Sequence, residues 1–192
     1  MIYQAVKFLT EQLNNHIKAV AGTNELPADF VRLSNIAHLT SDETRHLNNV
    51  LVSLVNVSED IPMKNMPNNV RSNINTQTVP HYLSLYVLFS SCVFNSYDES
   101  LIYLSRIIAF FEKNSVFTRQ PDEDLNNSMA GFRLTVESYS PGFEESNNMW
   151  TTMGGKQFPH MLYRVRLAEI EQPVRAEKRG IIKQFELRER MS

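Results

Sequence analysis

Apolar residues return at three- and four-residue steps through the first twenty positions: Ile2, Val6, Leu9, Leu13, Ile17 and Val20. That spacing predicts an amphipathic helix with one buried face, ended by Gly22 and Pro27. Phe30 to Ile36 reads as a short strand. Val50–Val57 (VLVSLVNV) and Tyr82–Phe89 (YLSLYVLF) are rich in β-branched and aromatic residues and nearly continuous in apolar character, as strands covered on both faces are. The segment 59–80 between them carries Pro62, Pro67 and Pro80 among asparagines, with few large apolar side chains, and reads as a mobile excursion.

A second strong helical pattern follows. Ser96 or Asp98 can cap its first turn, and Leu101, Leu104, Ile108 and Phe111 form the expected inward stripe. After a polar loop (Gln120 to Ser128), Phe132, Leu134 and Val136 alternate with Arg133, Thr135 and Glu137, the pattern of a half-buried strand. Pro141 and Gly142 turn the chain into a short helix, Phe143 to Met153, that stops at Gly154–Gly155. Met161 to Ile170 is the last strand, with Leu162, Arg164 and Arg166 on one face and Tyr163, Val165 and Leu167 on the other. The fold class is α/β (α+β). We expect a mixed sheet of about four to five strands, with the N-terminal helix, the long central helix and the short third helix packed on it. One domain, 1–171, is followed by a basic arm, 172–192.

The chain of 192 residues is 42% hydrophobic and 21% charged, with a formal net charge of −2. The arm holds six Lys or Arg against three Glu, a net of +3, so the body carries −5. That balance argues against a nucleic-acid binder, which needs a clearly basic domain. No stretch approaches the roughly 18–20 apolar residues that span a bilayer, and the N-terminus lacks the basic and apolar regions of a signal peptide. Cys92 is the single cysteine, which agrees with a reducing compartment and assembly in the cytoplasm.

The search for chemistry finds little. His16, His38, His46, His81 and His160 are scattered without metal-ligand spacing, and Cys92 lies at the end of the most apolar strand. Met153-Gly154-Gly155-Lys156 suggests a phosphate loop, but the glycines follow a helix rather than open one, so the positive end of its dipole faces away. Glu144 and Glu145 sit in a first helical turn, where they offset that dipole. No catalytic residue, metal or cofactor is expected. The candidate contact residues are Trp150, Lys156, Arg164 and Arg166 in the body and Arg175, Arg179 and Phe185 in the arm. Trp150 either anchors a subunit contact or pins the short helix to the sheet. Arg164 and Arg166 either meet acidic groups on a neighbour or are solvated.

Several stretches carry a family resemblance: Met1–Val6 (MIYQAV), Leu51–Val57 (LVSLVNV), His81–Ser90 (HYLSLYVLFS), Leu104–Thr118 (LSRIIAFFEKNSVFT) and Asn148–Arg166 (NMWTTMGGKQFPHMLYRVR). The last is the most specific, a helix ending in W-x-x-x-G-G-K, then an aromatic residue, Pro and a Tyr-containing strand. In order from Met1 to about Ile170, the chain resembles the cap, or tail-terminator, proteins of extracellular contractile injection systems such as the antifeeding prophage. The resemblance implies a fold like that of phage tail-completion proteins, assembled as a homo-hexameric ring on the last inner-tube and sheath rings at the baseplate-distal end. Such a ring stops polymerisation and holds tube and sheath together. It implies inner tube protein and sheath protein as partners, without nucleic acid or membrane insertion. An adaptor ring that joins particle components without setting length is the alternative.

Overall fold

Helix α1 (Ile2–Ala21) buries Ala5, Val6, Leu9, Leu13 and Ile17 as one stripe, so the predicted period is realised as far as Ile17. Ile2 is half-buried, and Val20, expected inward, is 53% exposed in the helix's last turn. Asn14 fixes where that stripe lands: its Nδ2 donates to Ala28 O at 2.9 Å and its Oδ1 accepts from Val31 N at 3.0 Å. The helix is thereby tied to the start of the sheet. The computed structural model describes residues 1–21, 26–59, 82–94, 96–120, 131–154 and 156–170. The segment 59–80 expected to be mobile and the arm 172–192 fall almost wholly outside these residues.

Six strands make one mixed sheet: β1 (Val31–Leu33), β2 (Asn48–Glu59), β3 (Tyr82–Val93), β4 (Val116–Arg119), β5 (Gly131–Tyr139) and β6 (His160–Ile170). Their spatial order is β1-β2-β3-β6-β5-β4, with β1 parallel to β2 and every other pair antiparallel. The last strand therefore lies in the middle, with Ser90 opposite His160 on one side and Val136 opposite Val165 on the other. Helices α2 (Ser41–Arg45), α3 (Tyr97–Lys113) and α4 (Phe143–Thr152) complete the described fold. The strand count exceeds expectation because β4 has four residues, VFTR, too few to show a period beside the helix it follows.

The two faces of the sheet differ. Against the first, α1 and α3 pack over Val50, Val52, Leu85, Val87, Phe89, Phe132, Leu134, Tyr163, Val165 and Leu167. Aromatic rings fill its centre: Phe111 lies 4.6 Å from Tyr163 and 4.9 Å from Phe89, centroid to centroid. The inward stripe of α3 is Ser100, Ile107, Phe110 and Phe111, not the expected Leu101, Leu104, Ile108 and Phe111. Leu101 is exposed, and Leu104 and Ile108 are half-buried. The polar residues Asp98, Ser105 and Glu112, with Glu99, Arg106 and Lys113, recur at seven-residue steps and mark the outward side, opposite Ile107. On the inward side Ser100 Oγ donates to Val93 O at 3.0 Å. The expected cap is Ser96, whose Oγ accepts from Glu99 N at 3.3 Å.

Strand β2 corrects a second expectation. Val50–Ser53 is buried, but Leu54, Val55 and Val57 are 39%, 37% and 40% exposed. A bulge between Leu54 and Asn56 bends the strand there. Strand β1 pairs only with Val50–Val52, so among the described residues no strand joins the outer edge of Leu54–Val57. The exposed stretch begins just past the end of that pairing.

Candidate functional site

The second face is divided across its length. Near α4 it is apolar: Ile36, Leu47, Leu51, Leu88, Cys92, Trp150 and Leu162 form a buried cluster. Helix α4 reaches it by a hinge that the sequence encodes. Glu145 Oε2 accepts from Gly142 N at the start, and Gly154 takes φ +98° just past the end, a conformation that a side chain would strain. Trp150 is 3% exposed and lies inside the protomer, pinning α4 to the sheet. Its indole Nε1–H donates to His160 Nε2 at 3.3 Å, while His160 Nδ1 stands 2.8 Å from Phe158 O.

The chain then passes Lys156, whose Nζ donates to Thr44 Oγ1 at 3.3 Å. Thr44 belongs to α2, a short helix that the sequence reading passed over although Thr40 and Glu43 have capping-box spacing. Glu43 N donates to Thr40 Oγ1, and Glu43 Oε2 accepts from Thr40 N at 2.8 Å. The backbone N–H of Thr40, and next its hydroxyl, hold the Glu43 carboxyl below its usual value. Lys156, read from sequence only as a residue beside two glycines, thus joins the end of α4 to α2. A cleft of about 40 Å3 lies there, lined by Ile36, Leu39, Thr44, Met153, Lys156 and Phe158. Small-molecule sites run to about 300–1,000 Å3, so a metabolite does not fit.

Beyond Tyr86 and Tyr139, whose rings meet edge to face at 5.2 Å, the same face turns polar. Cross-strand register brings Ser84 opposite Arg166, Thr135 opposite Arg166 and Glu137 opposite Arg164, with Arg133 two residues from Thr135. Arg166 Nη2 lies 3.4 Å from Glu137 Oε2. The predicted alternation of β6 is therefore correct, and it sets Arg164 and Arg166 side by side on this face. Among the described residues Arg133 shares this face with them, and Glu137 pairs with Arg166. Arg175, Arg179 and Phe185 lie outside the described residues, so the structure brings together only part of the predicted contact set.

Burial pushes the Cys92 thiol up to about 12, opposed by the charge of Arg32, and Tyr163 rises to about 12 by burial and then by the charge of Glu112. Among the described residues no three His, Cys, Asp or Glu gather as metal ligands, and no helix is long and apolar enough to cross a membrane.

Several solved structures are similar to the chain. One is described as the sheath/tube terminator of an extracellular contractile injection system, PVC, in the extended state; it is 12% identical, with 94% of this chain and 63% of that one covered and a TM-score of 0.45. Another is described as the tube-terminating cap of the anti-feeding prophage; it is 12% identical, with 92% and 60% covered and a TM-score of 0.47. The chain thus spans about three fifths of the length of each of these two. No curated protein sequence matches it significantly. The family resemblance read from the sequence motifs is upheld by a family model, described as the Pvc16 N-terminal domain, that matches residues 5–184 and so takes in part of the arm. With nearly all of its length matched, the chain belongs to the Pvc16 N-terminal domain family.

Proposed function

We propose that this protein is a structural cap that terminates the inner tube and contractile sheath at the baseplate-distal end of a phage-tail-like injection particle. The observation that carries this reading is the family match over residues 5–184. The cap assembles in the cytoplasm and becomes part of the particle. It forms a homo-hexameric ring by a head-to-tail contact whose rotation closes, meets tube protein and sheath protein, and holds the two together.

The surfaces described above suit that work. A growing tube or sheath presents unsatisfied groups, and a cap must meet them on one side without repeating them on the other. The cationic half of the second sheet face, with Arg164 and Arg166, is one contact in this reading, and Lys156 at the α2 corner is another. Trp150 supports that corner from within the protomer. Arg175, Arg179 and Phe185 act with the arm.

Electron microscopy of particles from a producer with this gene deleted tests the proposal. Overlong, variable or unsheathed tubes, restored to uniform length by the intact gene, are expected. Particles of normal, uniform length would overturn termination and leave the adaptor role.

A further inference from the structure

The contact between Trp150 and His160 admits one protonation state. Phe158 O is an acceptor, so His160 Nδ1, 2.8 Å away, must carry its hydrogen. The indole Nε1–H is a donor, so His160 Nε2, 3.3 Å away, must be bare to accept it. Only the neutral imidazole with hydrogen on Nδ1 satisfies both. A proton added at Nε2 would point N–H at N–H, 3.3 Å apart, and would face the two rings, whose centroids are 4.9 Å apart, with a new charge.

Among the described residues no carboxylate pairs with His160 to offset that charge. On the segment entering β6 stands Lys156, a cation held on Thr44 of α2. On β3, the residue opposite His160 is Ser90, and Cys92 belongs to the same cluster with its thiol kept neutral by burial. Arg32 of β1 is near enough to act on Cys92 and is also a cation. Of the two carboxylates of α2, Asp42 and Glu43, Glu43 is bonded back to Thr40, and Asp42 is exposed and forms no ion pair with His160. From β5, Tyr139 packs on the cluster, and from α4 Trp150, Met149 and Met153 do so; none of these is charged at neutral pH.

We infer that His160 is an acid-sensitive latch on α4: neutral, it holds Trp150 and with it the helix against the second face; protonated, it lets the indole go. The corner that Trp150 supports, including the Gly154 turn, loosens with it.

Trp150 is the only tryptophan, so intrinsic fluorescence of the full chain reads the latch directly. On lowering the pH from about 8 to about 5, across the range where histidines charge, the wild type should lose emission in a reversible step. His160→Gln, which keeps a polar side chain but cannot charge, should show no step. A flat wild-type curve, or the same step in His160→Gln, would overturn the latch. Nitrogen NMR of the wild-type imidazole and indole decides the matter if that variant does not fold. The expected result is an Nδ1–H tautomer at about pH 8, with the indole N–H resonance moving on the same curve as Nε2 protonation. An Nε2–H neutral tautomer, or an indole resonance indifferent to the imidazole, would refute it.

Discussion

Beneath α1 and α3 the sheet meets rings and branched chains along most of its width, from Val50 to Leu134, and Phe89, Phe111 and Tyr163 touch at its centre. Beneath α4 the sheet is apolar only as far as Tyr86 and Tyr139, after which Arg133, Arg164 and Arg166 replace the buried residues. The first face is occupied by folding the single chain, and its side chains answer to packing. The second is occupied by folding only near α4. In the other half no helix or strand among the described residues packs on the side chains, so selection there can act on contacts with other molecules.

The sharpest test of that contrast is truncation on the first face. Phe89→Ala removes a fully buried ring and should lower stability by about 3–5 kcal/mol, read as a fall in denaturant midpoint. A loss below about 1 kcal/mol would show that this face can close over the gap and is not the main core.

The apolar half of the second face can be read through Cys92. An unfolded thiol ionises near about 8.5, while the native thiol is pushed up to about 12 by burial. Between these values the native state keeps a proton that the unfolded state has released, so stability falls as pH rises. The slope approaches about 1.4 kcal/mol per pH unit. Tyr163, also raised to about 12, adds to the fall above about pH 10. Cys92→Ala should flatten the denaturant midpoint between about pH 8.5 and pH 10. If the wild-type midpoint is already flat there, Cys92 is not sealed and the cluster around Trp150 is looser than its burial implies.

The smallest effect belongs to the polar half. Arg166 and Glu137 are 37% and 45% exposed, so Arg166→Gln should cost no more than about 1 kcal/mol in the isolated protein. Under the proposed function the same change weakens incorporation into particles, measured as the amount of this protein recovered with purified sheath and tube. A stability loss of core size would place Arg166 in the scaffold instead.

How much was legible follows the same division. Strands β5 and β6 were read residue by residue because each has one apolar and one mixed face, so alternation is visible in Phe132–Glu137 and Leu162–Leu167. Strand β2 was not, because Leu54, Val55 and Val57 look in sequence like Val50, Leu51 and Val52 and differ only in what lies over them. The rotation of α3 was legible in principle, because Asp98, Ser105 and Glu112, with Glu99, Arg106 and Lys113, mark its outward side, but the expected stripe was drawn through Leu101, Leu104 and Ile108 instead. The arginine pair of the site was visible as an alternation. The Trp150–His160 pair was not: ten residues and a glycine turn separate the two, and only the path from α4 into β6 makes them meet.

The central place of β6 has a consequence for how the protein comes into being. The β2–β3 hairpin and the β4–β5 hairpin emerge from the ribosome earlier, each with an inner edge that no neighbour yet covers. Only when His160–Ile170 arrives does one strand fill both edges at once. Until then the nascent chain carries two sticky borders, the kind of long-range pairing that folds slowly and recruits neighbours by mistake. The order of synthesis thus leaves both inner edges open until the central strand of the sheet is made.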